Sequence, residues 1–152
     1  MSEARRYEDF DLLVSAGDQD AYQVRVLATP GGGASAGAIH APASELHMLD
    51  AAIAAWRGLA LDRAGTRDLG AALMEWLFRG PAAQLYRAGL ARVAADAEHG
   101  CRIRLRIEPP ELHGIPWETC YDVETAGFLA QDPRTPLVRY LLGMFGRAKH
   151  PQ

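Results

Sequence analysis

A chain of 152 residues with 49% hydrophobic residues is long enough for one domain with its own core and short for two. The formal net charge of −3 argues against non-specific binding to nucleic acid or to a membrane surface, because both need a concentrated positive field. The 2 cysteines do not make a disulfide framework, so we expect both to be thiols in a reducing compartment.

The amino-terminal part of the chain predicts a β-hairpin and a third strand. Residues 10–14 and 22–27 are strand-like, and turn-forming residues separate them. In the second strand Tyr22, Val24 and Val26 share one face, which we expect to be the buried one. A glycine run at 31–33 then predicts a flexible loop, and residues 36–41 predict a short third strand.

The middle of the chain predicts three helices. The first covers residues 42–57, with apolar side chains at helical spacing and Gly58 as its end. Thr66 is a suitable N-cap for the second. Gly80 interrupts the pattern, and Pro81 suits the first turn of a third helix that runs to about Glu98 with Gly100 as its carboxyl-terminal cap.

The carboxyl-terminal third contains the clearest strand. Residues 101–107 alternate between apolar side chains and arginines, so we expect the arginine face to be solvated or to meet carboxylates. A helical turn follows Pro109 and Pro110, and short strands are predicted near 128–130 and 137–141. Together these elements predict one α/β (α+β) domain over residues 1–142, with about three main helices packed on one face of a small mixed sheet. We expect residues 143–152 to form a flexible tail.

We find no targeting signal in the sequence. Residues 1–11 are charged and do not form a signal peptide, and we find no apolar run long enough to span a bilayer. We therefore expect a cytoplasmic protein without a membrane partner.

Three segments near the carboxyl terminus carry a family resemblance. They read Ile-Pro-Trp-Glu-Thr-Cys-Tyr-Asp at 115–122, Gly-Phe-Leu-Ala at 127–130 and Thr-Pro-Leu-Val-Arg-Tyr-Leu at 135–141. This pattern resembles the amino-terminal region of bacterial CHAT-domain proteins, a caspase-like family, and a looser resemblance extends over most of residues 7–142. In that family the pattern leads into the protease core, and the chain ends about where that core would begin.

The resemblance implies a non-catalytic role. The family's glycine-flanked histidine and its later cysteine nucleophile have no counterpart in this sequence, so no catalytic residue is assigned. We expect an accessory or scaffolding region that docks to a caspase-like core or another protein, in cis or in trans, or that forms a homodimer. No cofactor, metal or nucleic acid is expected. The residues assigned to the structural and docking element are Pro116, Trp117, Glu118, Tyr121, Arg139 and Tyr140.

The chemistry of these residues indicates a structural brace. Pro116 fixes the entry angle of the chain, and Trp117 is a large apolar anchor. Glu118 needs a basic partner if it is buried, and Arg139 or one of the three strand arginines can supply it. Where the core is missing, we expect the apolar surface of this element to be uncovered.

Other readings remain open. A free-standing interaction module unrelated to proteolysis is the main alternative, and a small thiol or metal hydrolase that uses Cys120 and His113 is a further one. His99, Cys101, His113 and Cys120 are residue types that bind zinc, but their spacing is not that of a zinc knuckle. The three arginines and the glycine run could contact phosphate, although a wet sheet face and a loop explain them more simply.

Overall fold

The computed structural model describes residues 6–33 and 35–141. Its central feature is a five-stranded mixed sheet. The predicted tail at 143–152 lies outside the described residues. The strands of this sheet are β1 (Arg6–Ala16), β2 (Ala21–Ala28), β3 (Ala36–Pro42), β4 (His99–Ile107) and β7 (Leu137–Leu141). Two further strands, β5 (Tyr121–Asp122) and β6 (Gly127–Phe128), form a separate hairpin.

The sheet has the spatial order β3-β2-β1-β4-β7. β1, β2 and β3 form an antiparallel meander, whereas β4 pairs in parallel with β1 on one side and with β7 on the other. The predicted hairpin, third strand, arginine strand and last strand are therefore all present. The α/β class predicted from the sequence is confirmed.

Within the described residues, four helices pack on one face of the sheet. They are α1 (Ala43–His47), α2 (Asp50–Arg57), α3 (Arg63–Leu77) and α4 (Pro81–Ala94). The predicted helix over 42–57 was wrong in one respect, because it is two helices. Leu49, with φ −97° and ψ 1°, departs from helical geometry between them.

Two predicted helix boundaries were also wrong. Asp62, not Thr66, caps α3, and its carboxylate accepts a hydrogen bond of 2.7 Å from the Gly65 amide. The third helix ends at Ala94 rather than near Glu98, and Gly100 lies inside β4 instead of capping the helix. A methyl group at Gly100 would approach the Arg134 carbonyl and the Tyr7 ring, which explains glycine there.

The core lies between the helices and the apolar face of the sheet. In the register of β1 and β4, Phe10 lies beside Ile103 and Leu12 beside Leu105, and all four side chains are fully buried. Phe10 also packs against the rings of Phe78 and Tyr86, at centroid distances of 5.8 and 5.5 Å. Burial of this apolar surface is the main stabilising term for the fold.

The link from β4 to β7 is built from short elements. It contains three 3₁₀ turns and a two-stranded hairpin. The turns are Pro110–Leu112, Trp117–Thr119 and Leu129–Gln131, and the hairpin strands are β5 (Tyr121–Asp122) and β6 (Gly127–Phe128). The predicted turn after the two prolines is confirmed, whereas residues 128–130 are part strand and part turn. This link holds most of the residues assigned to the brace.

Candidate docking site

Trp117 is the buried centre of the brace. Its side chain is 0% exposed, and its ring packs at 5.8 Å from that of Trp76 on α3. The indole Nε1 donates a hydrogen bond of 3.1 Å to the Leu112 carbonyl, so its polar atom is satisfied inside the core. Pro116 is buried beside it. The apolar surface that we expect to be uncovered on this element does not lie at Trp117, because the domain's own α3 covers the ring.

Arg139 ties β7 to this link. Its Nη1 donates to the Ile115 carbonyl at 2.8 Å and its Nη2 donates to the His113 carbonyl at 2.7 Å. The same guanidinium lies 3.2 Å from the Glu118 carboxylate, which is one of the four pairings that the sequence left open. Glu118 itself is half exposed, so the two carbonyl bonds hold the geometry more firmly than the ion pair does.

The other two assigned residues lie apart from the Trp117 centre. Tyr121 is half-buried on β5, where its ring meets that of Phe128 edge-on at 5.0 Å. Tyr140 follows Arg139 on β7 and therefore points to the opposite face of the sheet. There its ring lies near the guanidinium groups of Arg104 and Arg106, at 5.9 and 5.8 Å.

Sequence reasoning missed a second ion pair in the link. Arg87 on α4 donates two hydrogen bonds, of 2.6 and 2.7 Å, to the carboxylate of Asp122 on β5. Asp122 is 1% exposed. Its burial raises the pKa, but the hydrogen bonds from Arg87 outweigh this and hold the pKa of the carboxyl below its ordinary value. The only sequence signal was the aspartate at the end of the motif at 115–122.

The thiols are placed as packing residues. Burial raises the pKa of the Cys101 thiol to about 12, and burial likewise raises the pKa of the Cys120 thiol. His113 Nε2 lies 2.8 Å from the Ile107 carbonyl, a contact that a ring N–H makes as donor. Within residues 6–33 and 35–141, no three His, Cys, Asp or Glu side chains form a group that could hold a metal ion.

The glycine run meets a carboxylate. The Gly31 amide donates a hydrogen bond of 2.9 Å to Glu8, and Gly31 and Gly32 adopt positive φ of 89° and 74°. A negatively charged side chain at this amide repels phosphate. The arrangement therefore indicates a structural turn.

Two cavities border Asp122 in the described part of the chain. The larger, of about 570 Å³, lies between α3, α4 and β5. The smaller, of about 180 Å³, lies between α4 and the β5–β6 hairpin. Tyr86 lines the smaller cavity, and its buried hydroxyl has no hydrogen-bond partner among the described residues. Ligand pockets for drug-sized molecules are about 300–1,000 Å³ in volume, so the smaller cavity suits a few water molecules.

The arginine face of the sheet meets carboxylates, which is one of the two environments predicted for it from the sequence. Arg102 Nε donates to Asp9 at 2.7 Å, and Arg104 donates to both oxygens of Asp11 at 2.7 and 2.6 Å. These pairs join β1 to β4 on the face opposite the helices.

No helix in the described part of the chain is long and apolar enough to cross a membrane. Comparisons with protein-family models, with curated proteins and with solved structures gave no match for this chain.

Proposed function

We propose that this chain is a non-catalytic scaffolding region of a CHAT-type, caspase-like protease system, and that it docks to a catalytic core or to another protein. The observation that carries the proposal is the position of β7. The segment resembling that family is the one that anchors β7, through the Arg139 bonds to the Ile115 and His113 carbonyls. β7 is an edge strand, and within the described residues its outer side pairs with no other strand.

An edge strand of this kind favours continuation of the sheet. Its unpaired amide and carbonyl groups are a template for a further strand. A core that follows β7, or that is supplied by a separate chain, would add its first strand there. A second copy of this chain could add β7 to β7 in the same way, which gives the homodimer.

The state of the two thiols, one of which is the candidate nucleophile Cys120, supports a binding role. Cys101 and Cys120 are buried thiols with raised pKa values, and thiolates rather than thiols are the reactive form. We place the protein in the cytoplasm, where both would stay reduced.

The alternative is a free-standing interaction module unrelated to proteolysis. Burial of the Trp117 ring against Trp76 favours it, because the brace needs no partner to cover its largest apolar side chain. The third candidate is a small thiol or metal hydrolase that uses Cys120 and His113. It would require the buried Cys120 to become accessible.

Purification of the protein from its source cells, followed by intact-mass measurement of it and its bound proteins, tests the proposal. Support would be these residues found in one chain with, or bound to, a chain that carries the missing histidine and cysteine. A monomer of the mass of this chain, with no caspase-like protein bound, would contradict it and favour the free-standing module.

A further inference from the structure

One cross-strand row on the face opposite the helices has an unusual composition. Register places Arg25 of β2 beside Leu13 of β1, Leu13 beside Arg106 of β4, and Arg106 beside Tyr140 of β7. Alternation along each strand puts these side chains on the arginine face. An apolar side chain thus lies between two arginines on neighbouring strands.

These two arginines differ from the others on this face. Arg102 and Arg104 are bonded to Asp9 and Asp11. Within residues 6–33 and 35–141, no carboxylate lies within 4.0 Å of Arg25 or Arg106. Each of the first two arginines is matched by one aspartate, so Arg25 and Arg106 are the two arginines on the strands of this face without an ion pair among the described residues.

The same face carries apolar side chains that water can reach. Leu27 on β2 is exposed, and Leu13 and Val138 are half-buried. The β1, β4 and β7 strands run in parallel, and parallel sheets usually have helices on both faces. Here the described helices share their core with the opposite, apolar face.

The spacing of the two arginines fits a helix. Neighbouring strands lie about 4.8 Å apart, so the Cα atoms of Arg25 and Arg106, two strands apart, are separated by about 10 Å. An α-helix with its side chains is about 10–12 Å across. A helix that runs over Leu13 along the strands would have one arginine on each side.

We propose that this face binds an amphipathic α-helix of the partner protein, with an apolar stripe on Leu13 and Leu27 and carboxylates on both flanks facing Arg25 and Arg106. The inference rests on the proposed function in that the helix belongs to the docked core or partner. Charge complementarity selects this occupant, because a second copy would bring arginines against arginines.

The test uses the full chain and a labelled designed helical peptide with a leucine stripe and glutamates on both flanks. A matched peptide has glutamine at the flanking positions. Fluorescence anisotropy should show that the acidic peptide binds more tightly. The double variant Arg25→Glu/Arg106→Glu should weaken its binding by about tenfold or more, as expected for two exposed charge contacts that are reversed.

The matched control is Arg63→Glu, which changes charge at an exposed residue at the start of α3. It should leave the affinity for the acidic peptide unchanged, and circular dichroism should show that both variants fold. Equal binding of the two peptides, or no loss in the double variant, would overturn the inference. So would a dimer in sedimentation that the double variant dissociates, since the occupant would then be a second copy.

The inference and the proposed function can fail separately. A caspase-like partner that binds wild-type protein and the double variant equally well would contradict the inference and support the proposed function. Selective binding of the acidic peptide, with no caspase-like protein in the native complex, would support the surface and contradict the function.

Discussion

Arg87 and Asp122 form a bidentate ion pair that joins α4 to the β5–β6 hairpin, with N–O distances of 2.6 and 2.7 Å. The carboxylate is buried, whereas the guanidinium reaches the surface and also lies 3.2 Å from Glu124. The Asp122 carboxylate further accepts from the Glu124 amide at 3.0 Å. Such an ion pair changes the free energy of folding little while both partners are present. Removal of one partner destabilises the fold strongly, because the other charge stays buried without compensation.

Arg87→Met should destabilise the domain by about 3–5 kcal/mol at neutral pH, because the buried Asp122 carboxylate loses its partner. The control Arg92→Met lies on the same helix, in a mostly exposed pair 3.7 Å from Glu8, and should cost less than about 1 kcal/mol. Urea unfolding followed by circular dichroism gives both values. Equal effects of the two substitutions would contradict this account of Asp122.

The loss in Arg87→Met should also depend on pH. In the wild type the lowered pKa of Asp122 adds stability above the ordinary carboxyl pKa of about 3.9, and this stability is lost as the pH falls through the lowered value. Without Arg87, burial raises the pKa of the carboxyl and only weaker contacts such as the Glu124 amide oppose it, so the carboxyl takes up a proton at a higher pH than in the wild type. The deficit relative to wild type should therefore shrink between about pH 7 and about pH 4. Adding Asp122→Asn should recover part of the stability at neutral pH.

Gly70→Ala should destabilise the fold although alanine is the better helix former. The substitution gains about 1 kcal/mol of helix propensity. A methyl group at Gly70, however, would overlap the backbone carbonyl of Thr119, which cannot rotate away as a side chain can. Overpacking costs about 1–3 kcal/mol, and the backbone clash puts this site at the upper end, for a net loss of about 2 kcal/mol.

Urea midpoints measure the Gly70 effect against Gly37→Ala. Gly37 lies on β3 with open space around the position of a new methyl group, and its backbone does not need a positive φ. The Gly37 variant should stay close to wild type. A Gly70 variant as stable as wild type would show that α3 and the Trp117–Thr119 turn can separate without cost.

The strands and helices could be predicted because their signals are local. The alternation of Cys101 to Ile107 and the Gly80-Pro81 break are visible within a few residues, and both are borne out by β4 and the start of α4. The ends of the helices were harder to predict. Asp62 and Thr66 are both acceptable N-caps, and only the hydrogen bond to Gly65 distinguishes them.

The site could be predicted only in part. Arg139 was one of four candidate partners of Glu118 because its charge was plain from the sequence. The Arg87–Asp122 pair joins residues 35 positions apart, and no periodicity links them. The close approach of Gly70 to Thr119 and the row formed by Arg25, Leu13 and Arg106 depend on three-dimensional packing and register, which a single sequence does not specify.

Leu59→Gly should stabilise the protein. Gly58 ends α2 with φ −85°, and the residue in the left-handed region is Leu59, with φ 57°. The Leu59 and Ala60 amides donate to the Trp56 and Ala55 carbonyls at 3.0 and 2.8 Å, the pattern of a Schellman motif whose left-handed position favours glycine.

The expected gain is about 0.5–1 kcal/mol. Relief of the left-handed strain should raise the free energy of unfolding by about 1–2 kcal/mol, and the greater freedom of glycine in the unfolded chain should lower it by about 0.4–1 kcal/mol. Leu59 is 94% exposed, so little packing is lost. Thermal unfolding should place Leu59→Gly above wild type, and Leu59→Ala, which keeps the strain, should bring no gain. Destabilisation by glycine would mean that Leu59 makes contacts in solution that its exposure does not suggest.

Trp117→Ala should remove about 3–5 kcal/mol of stability or prevent folding, as truncation of a buried aromatic side chain does. The ring fills the space against Trp76, and its Nε1 satisfies the Leu112 carbonyl. Glu118→Gln is the neighbouring control. Its side chain is half exposed and its ion pair with Arg139 lies at the surface, so the change should stay within about 0.5 kcal/mol.

Urea unfolding of both variants separates a brace from a docking surface. A large loss for Trp117→Ala beside a negligible one for Glu118→Gln is the result expected of an internal brace. Trp117→Phe should fall between alanine and wild type, because it restores much of the apolar volume and leaves the Leu112 carbonyl without its indole donor. Near-unchanged stability of Trp117→Ala together with lost partner binding would instead mean that the ring leaves the core to contact a partner.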